Sequence, residues 1–287
     1  MYNLIKMNLY QLMHSFSTKI LILCTIGLAL FCIAMTKVDL NALENEPTAV
    51  AESETIEPES NQVDIQVGIY TETPSEWISN KISYPDLLAA QLQSKILLVL
   101  VAIFTTLFVA AERRNGFIKN IAGHFPNRGV MVAAKLIAVA VQIFIMFAIF
   151  ALFTLIFAIP LLGNRIELCS AADLLKVAGI QYLLHYAFAC LITFFCLLTN
   201  SSAMSMTAGI LLASGLGTPI YSLIDHAVQW LPKDSFHIAE YMLENNIASI
   251  SAESGSKLIT NGILTGLGFI LITTAFSMLI VQKRDVR

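Results

Sequence analysis

Charge is scarce in this chain: only 13% of its 287 residues are Asp, Glu, Lys or Arg, against 56% hydrophobic. A soluble domain carries about 25% charged residues, so an ordinary water-soluble fold is excluded and the chain reads as an integral membrane protein. Cysteine is scarce as well. Of the five, Cys24, Cys32, Cys190 and Cys196 fall inside apolar runs and only Cys169 sits in a loop, which excludes a disulfide framework. Catalytic signatures are missing: there is no GxxxxGK[ST] phosphate loop, no HExxH zinc site, no GxSxG elbow and no pair of intramembrane aspartates. His14, His124, His185, His226 and His237 are dispersed without ligand spacing. The chain is expected to be no enzyme, with no catalytic residue, cofactor or metal of its own. Its net charge of -3 averages a basic face and an acidic loop, and nothing points to nucleic acid.

What is present is a set of long apolar runs. Crossing a bilayer takes about 20 residues at ~1.5 Å each, and runs of that size occupy 16–36, 91–111, 130–160, 174–198, 203–224 and 258–281. The expected fold is an all-α membrane domain with six transmembrane helices, one domain overall, and both termini on the same side.

Basic residues set the orientation. Lys6, Lys19, Arg113, Arg114, Lys119, Arg128, Lys135, Lys283, Arg284 and Arg287 fall on one face, while only Glu112 and Asp285 among the acidic residues join them. That face is expected to be cytoplasmic, with the tail 282–287 on it. The opposite face carries Lys37, Lys81, Lys95, Arg165, Lys176, Lys233 and Lys257 on long loops and helix ends.

Residues 1–17 read as an interfacial amphipathic helix, with Leu4, Ile5, Leu9, Leu12, Met13 and Phe16 on one side and Asn3, Lys6, Gln11 and His14 on the other. The alternative is a cleavable signal peptide, for which the sequence after the first apolar run offers a poor cleavage site. Loop 37–90 holds eleven acidic residues from Asp39 to Asp86 against Lys81. It reads as a solvated external loop or as a face that receives or repels a charged ligand. Val63, Ile65 and Val67 give it a weak strand signal. The insertion 225–256 is expected to form a short helix capped by Asp234 or Ser235, with Phe236, Ile238, Ala239, Tyr241, Met242 and Leu243 as its apolar surface. It serves as a shield on the outer leaflet or as an external gate.

Inside the runs, polar side chains are expensive and few. Gln142, Gln181, His185 and Asn261 are candidates for a translocation path or for bonds between helices, and Lys95, Lys135 and Lys176 are expected to snorkel to the interface. Gly262 and Gly266 make the small-xxx-small spacing of close helix packing, while Gly209, Ala213 and Gly217 mark the fifth run. Pro219 is positioned to kink or end that run.

The segment 112–128 is the most informative. Glu112, Arg113, Arg114, Gly116, Lys119 and Arg128 are interleaved with Phe117, Ile118, Ile121 and Phe125 at helical spacing, the pattern of a short helix at the membrane surface that docks on a partner.

These pieces, in their order, resemble the six-span permease subunits of ABC-2 type exporters. The match rests on the amphipathic start, the external loop, and Glu112-Arg113-Arg114-Asn115-Gly116 closing the second span. Pro126-Asn127-Arg128 and Lys135, the Thr199-Asn200-Ser201-Ser202 turn, the polar insertion and the Lys283-Arg284-Asp285 tail complete it. The resemblance implies a transport subunit that pairs with a second permease copy or paralogue and with cytoplasmic ABC ATPase subunits, which hold the ATP and Mg. It implies a multi-pass protein of the bacterial cell membrane. Residues 112–128 become the coupling helix, with Glu112 either at its hinge or paired to Arg113 or Arg114. The similarity is closest to permeases for antimicrobial-peptide export or bacteriocin immunity, although the external loop is longer than a minimal immunity permease needs. A sensor or scaffold that needs no ATP, and a secondary transporter, are the alternatives.

Overall fold

A computed structural model describes residues 1–45, 73–114 except 79, 129–224 except 169, 218 and 222, and 238–283 except 253. Within these the protein is helical apart from one pair of two-residue strands. Four helices are long and apolar enough to cross a membrane: α2 (Phe16–Asn45), α5 (Gly129–Leu162), α6 (Ala171–Thr199) and α9 (Ser256–Lys283). Helices α3 (Tyr84–Gln93) and α4 (Ile96–Arg114), bent by 57° at their junction, are together long and apolar enough to count as a fifth candidate span. The protein is therefore a helical membrane-embedded protein.

The fifth expected run differs. Of 203–224, the continuous helix α7 covers Ser202–Ala213, 12 residues or about 18 Å, well short of the ~30 Å hydrocarbon core. Gly215 follows at φ 73°, a left-handed conformation that ends a helix.

The start and stop signals in the sequence act locally. Ser170 caps α6 by accepting from the Ala172 amide at 3.2 Å, with Asp173 in the first turn. Asn200, at φ 59°, ends α6, and Ser201 caps α7 by accepting from the Met204 amide at 3.3 Å.

Helix α6 is the centre of the bundle, packing on α3, α4, α5, α7 and α9. Helix α1 (Tyr2–His14) is amphipathic as expected and packs on α5, but its buried stripe is narrower, consisting of Leu4, Asn8 and Leu12. Met13 and Phe16 are exposed. Asn8 is tolerated inside because its amide donates to the Leu4 carbonyl at 3.0 Å.

At 30 and 34 residues, or about 45 and 51 Å, α2 and α5 outrun the hydrocarbon core. Their far ends carry polar contacts suited to water. Arg165 pairs with Glu44 at 2.5 Å, and Thr73 donates to Asp39 at 3.3 Å. There β1 (Ile82–Ser83) pairs in parallel with β2 (Ile166–Glu167) over a small core of Ile33, Leu40, Trp77, Ile82, Leu87 and Leu162. The sequence had placed its strand signal at Val63–Val67, which lies outside the described residues. Helix α3 then crosses this end of the bundle. Pro85 and Asp86 suit its first turn. Tyr84 donates to the Ala151 carbonyl at 2.6 Å, and Gln91 donates to the Thr36 hydroxyl at 2.7 Å.

Candidate functional site

The corner between α3 and α4 is built on Ser94 and Lys95. Ser94 donates to the Gln91 carbonyl at 2.6 Å, closing α3, and Lys95 turns the chain at φ 63°. That left-handed conformation costs a non-glycine residue about 1–2 kcal/mol. Lys95 is also 2% exposed, so it does not snorkel: the bend lays α3 over the end of α4 and closes the route to the interface.

Helix α8 (Leu243–Ser249) faces this corner and packs on α3, α6 and α9. Its Glu244 is 3% exposed and accepts from the Tyr221 hydroxyl. The Glu244 carboxylate also acts electrostatically on Lys95. Burial raises the Glu244 carboxyl above its ordinary range, while the Tyr221 donor and the Lys95 charge pull it down and leave part of the rise. Asn246 steadies α8 from within, donating to the carbonyls of Glu240 and Met242 at 2.8 and 2.9 Å. Of the helix expected in the insertion, the caps Asp234 and Ser235 and the residue Phe236 lie outside the described residues. Ile238–Tyr241 is one turn of 3₁₀ helix, Met242 is extended, and the α-helix begins at Leu243.

Two of the predicted intramembrane polar residues join this assembly. Gln181 on α6 donates to the carbonyls of Ile247 and Ile250 at 3.0 and 3.1 Å, fastening the end of α8 to the bundle centre. One turn on, the His185 Nδ1 lies 2.8 Å from the Gln181 carbonyl, and its ring meets Phe147 edge-on at 4.9 Å. Its Nε2 is buried without a hydrogen-bond partner, as is the Gln181 Oε1. Gln142, on α5, is fully buried with neither amide atom hydrogen-bonded. Asn261 is half-buried on α9.

Gly262 and Gly266 serve two contacts. A Cβ on Gly262 would come within 2.6 Å of Ile250 Cδ1, so the glycine admits the end of α8. One on Gly266 would sit 3.3 Å from Leu183, so that glycine admits α6.

At the other end of α4, Glu112, Arg113 and Arg114 form its last turn. Gly116, Phe117, Ile118, Ile121, Phe125 and Arg128 lie outside the described residues. The return into α5 is anchored. Gly129 is buried, and Lys135 donates to the Val109 carbonyl at 3.3 Å with its ammonium 5.9 Å from the Phe108 ring centroid. Lys135 thus spends its charge inside the protein, whereas Lys176 stays exposed and reaches the Ala252 carbonyl at 3.4 Å.

Glu244 and Tyr221 were not singled out from the sequence. Their signal was faint: a glutamate in a polar insertion looks solvated until α8 is docked. Cys24, Cys32, Cys190 and Cys196 are free, and no group of three metal-ligating side chains gathers among the described residues. Neither a protein-family model nor a curated protein matches the chain.

Proposed function

We propose that this protein is the permease subunit of an ATP-driven exporter of the ABC-2 type, moving an amphipathic peptide, drug or lipid-like substrate out of the cell or membrane. It works with a second permease copy or paralogue and with cytoplasmic ATPase subunits that bind ATP and Mg. Both termini lie in the bacterial cytoplasm. The observation that carries this reading is the Glu112-Arg113-Arg114-Asn115-Gly116 sequence, which begins in the last turn of a spanning helix and leads into a basic, apolar-striped connection.

Mechanically, a push on 112–128 would be transmitted along α4, which is 19 residues or about 28 Å long. Its far end is the bent Lys95 corner, in contact with α3 and α8. Closure of the ATPases would then move the outer insertion without any ionisable group being carried across the bilayer.

A secondary transporter is the second reading, favoured by the buried Lys95 and Glu244 beside an interrupted span. Helix length argues against it. The apolar part of α4, Ile96–Ala111, is about 24 Å long and covers most of the ~30 Å core by itself, which puts the Lys95 corner nearer the bilayer edge than the midplane where such sites are built.

The test is purification in mild detergent from native membranes by a carboxyl-terminal tag. A stoichiometric ATPase with vanadate-sensitive turnover is expected, and Phe117→Asp with Ile121→Asp should release it while leaving insertion intact. A folded, monodisperse preparation that reproducibly lacks an ATPase would transfer the reading to a sensor or scaffold.

A further inference from the structure

Helices α6 and α9 pack side by side, and a groove runs along their seam. Between them lies an almost wholly apolar cavity of about 470 Å³, walled by Leu191 and Phe194 of α6 and by Gly268, Phe269 and Ile272 of α9. Tyr241, before α8, lines it too, and Phe276 is its last α9 residue, with Phe194 at 6.3 Å between ring centroids. Gly268 opens the space, since a Cβ built there meets nothing within 4 Å. Thr273 directs its hydroxyl back to the Phe269 carbonyl at 2.6 Å, so it offers the cavity no free donor.

The dimensions and position name the occupant. From Thr265 to Lys283, the basic end of α9, is about 27 Å of helix, close to the ~30 Å hydrocarbon core. The first turns of α9, before Thr265, are covered by α8 at Gly262. From Thr265 to Phe276 is about 16 Å, the depth of one leaflet. Tyr241, half exposed, stands at the end of the cavity next to α8, where an amphipathic ring suits the headgroup level. Spread over that length, the volume leaves about 30 Å² of cross-section, a slot narrower than a helix with its side chains, ~10–12 Å across. A slot of that width admits one hydrocarbon chain along its floor, whereas a second protomer's helix could lie only across its mouth.

We infer that the α6–α9 groove binds one acyl chain of a phospholipid from the leaflet on the Tyr241 side, with its headgroup at Tyr241 and its methyl end at the Phe194–Phe276 pair. Because α9 also carries Gly262, which receives α8, the chain lies against the helix that positions the outer insertion. The inference rests on membrane embedding alone and stands or falls independently of ATP-driven export.

The full-length protein, reconstituted in phosphatidylglycerol vesicles containing a trace of phosphatidylglycerol with a diazirine near one acyl terminus, tests it. Photolabel is expected to concentrate on Leu191, Phe194, Phe269 and Thr273, and to be lost in Gly268→Phe, which fills the groove. It should persist in Leu271→Phe, at a position 70% exposed on the outer face of α9. Gly268→Leu, a smaller filling, substitutes where the phenylalanine variant is not monodisperse. Labelling spread evenly over Leu264, Leu271 and the groove, unchanged by filling Gly268, would overturn the assignment. So would a disulfide between two copies carrying Gly268→Cys, which would put a second protomer there.

Discussion

Tyr221 donates its hydroxyl to the carboxylate of Glu244, holding α8 inside the protein by a residue from the segment that follows α7. Lys95 acts on the same carboxylate from the corner between α3 and α4. Three stretches far apart in sequence thus bear on one buried carboxylate. Glu112 stands about 26 Å from Lys95 at the other end of α4, so one rigid helix joins this corner to the basic connection.

Lys95 and Glu244 are each expected to need the other. Removing one partner of a buried charge pair typically costs about 3–5 kcal/mol, while replacing both by apolar groups is close to neutral. Lys95→Met and Glu244→Met should each lower the unfolding temperature in detergent, and the double variant should recover most of the loss. Strictly additive losses would show that the two groups do not interact.

Stability should also depend on pH through Glu244. Its folded carboxyl lies above the ordinary value of 4.5 because burial disfavours the charged form. Below that ordinary value both folded and unfolded states are protonated and the group contributes no difference. As pH rises past it, the unfolded chain ionises first and the folded state loses stability, until Glu244 ionises as well. Glu244→Gln is expected to remove this decline. Parallel melting curves for the two proteins from pH 4 to 8 would refute it.

Two glycines should respond oppositely to alanine. At Gly209 the new Cβ would stand 2.9 Å from Ile192 Cδ1 and 3.0 Å from the Ala102 Cβ, which belongs to a neighbouring helix and cannot swing aside. Overpacking of this kind costs about 1–3 kcal/mol. At Gly268 nothing stands in the way, and alanine should gain about 1 kcal/mol in helix propensity. Thermal unfolding of both variants checks the contrast; equal effects would mean that α7 is not wedged between α4 and α6.

Lys135→Met keeps an apolar stem of similar length but deletes the bond to the Val109 carbonyl and the charge near Phe108. A loss of about 1–2 kcal/mol is expected. With the return into α5 loosened, the stimulation of a bound ATPase should fall more than its binding. Unchanged melting would show that this lysine contributes no anchoring.

Much of the architecture was legible. Long apolar runs announced the spans, the Leu4 to Leu12 stripe announced α1, and Thr199 to Ser202 announced the break between α6 and α7. The candidate site was half legible: Gln181 and His185 stood out because a polar side chain in an apolar run needs a partner. The partner of Gln181, α8, did not, since neither its register nor its docking follows from local pattern. Pro219 marked where the fifth run could kink or end, whereas the left-handed turn at Gly215 left no trace in hydropathy averaged over the window.

The sequence by itself determined that the protein lives in a membrane as helices, because unpaired backbone in hydrocarbon admits few other structures, and it determined where charge was affordable. Only the tertiary structure decided that Lys95 and Lys135 turn inward. A lysine at the edge of an apolar run can reach water or a buried acceptor with equal ease. Which it does depends on whether another element, here α3 with α8 or the end of α4, has been packed across its way out.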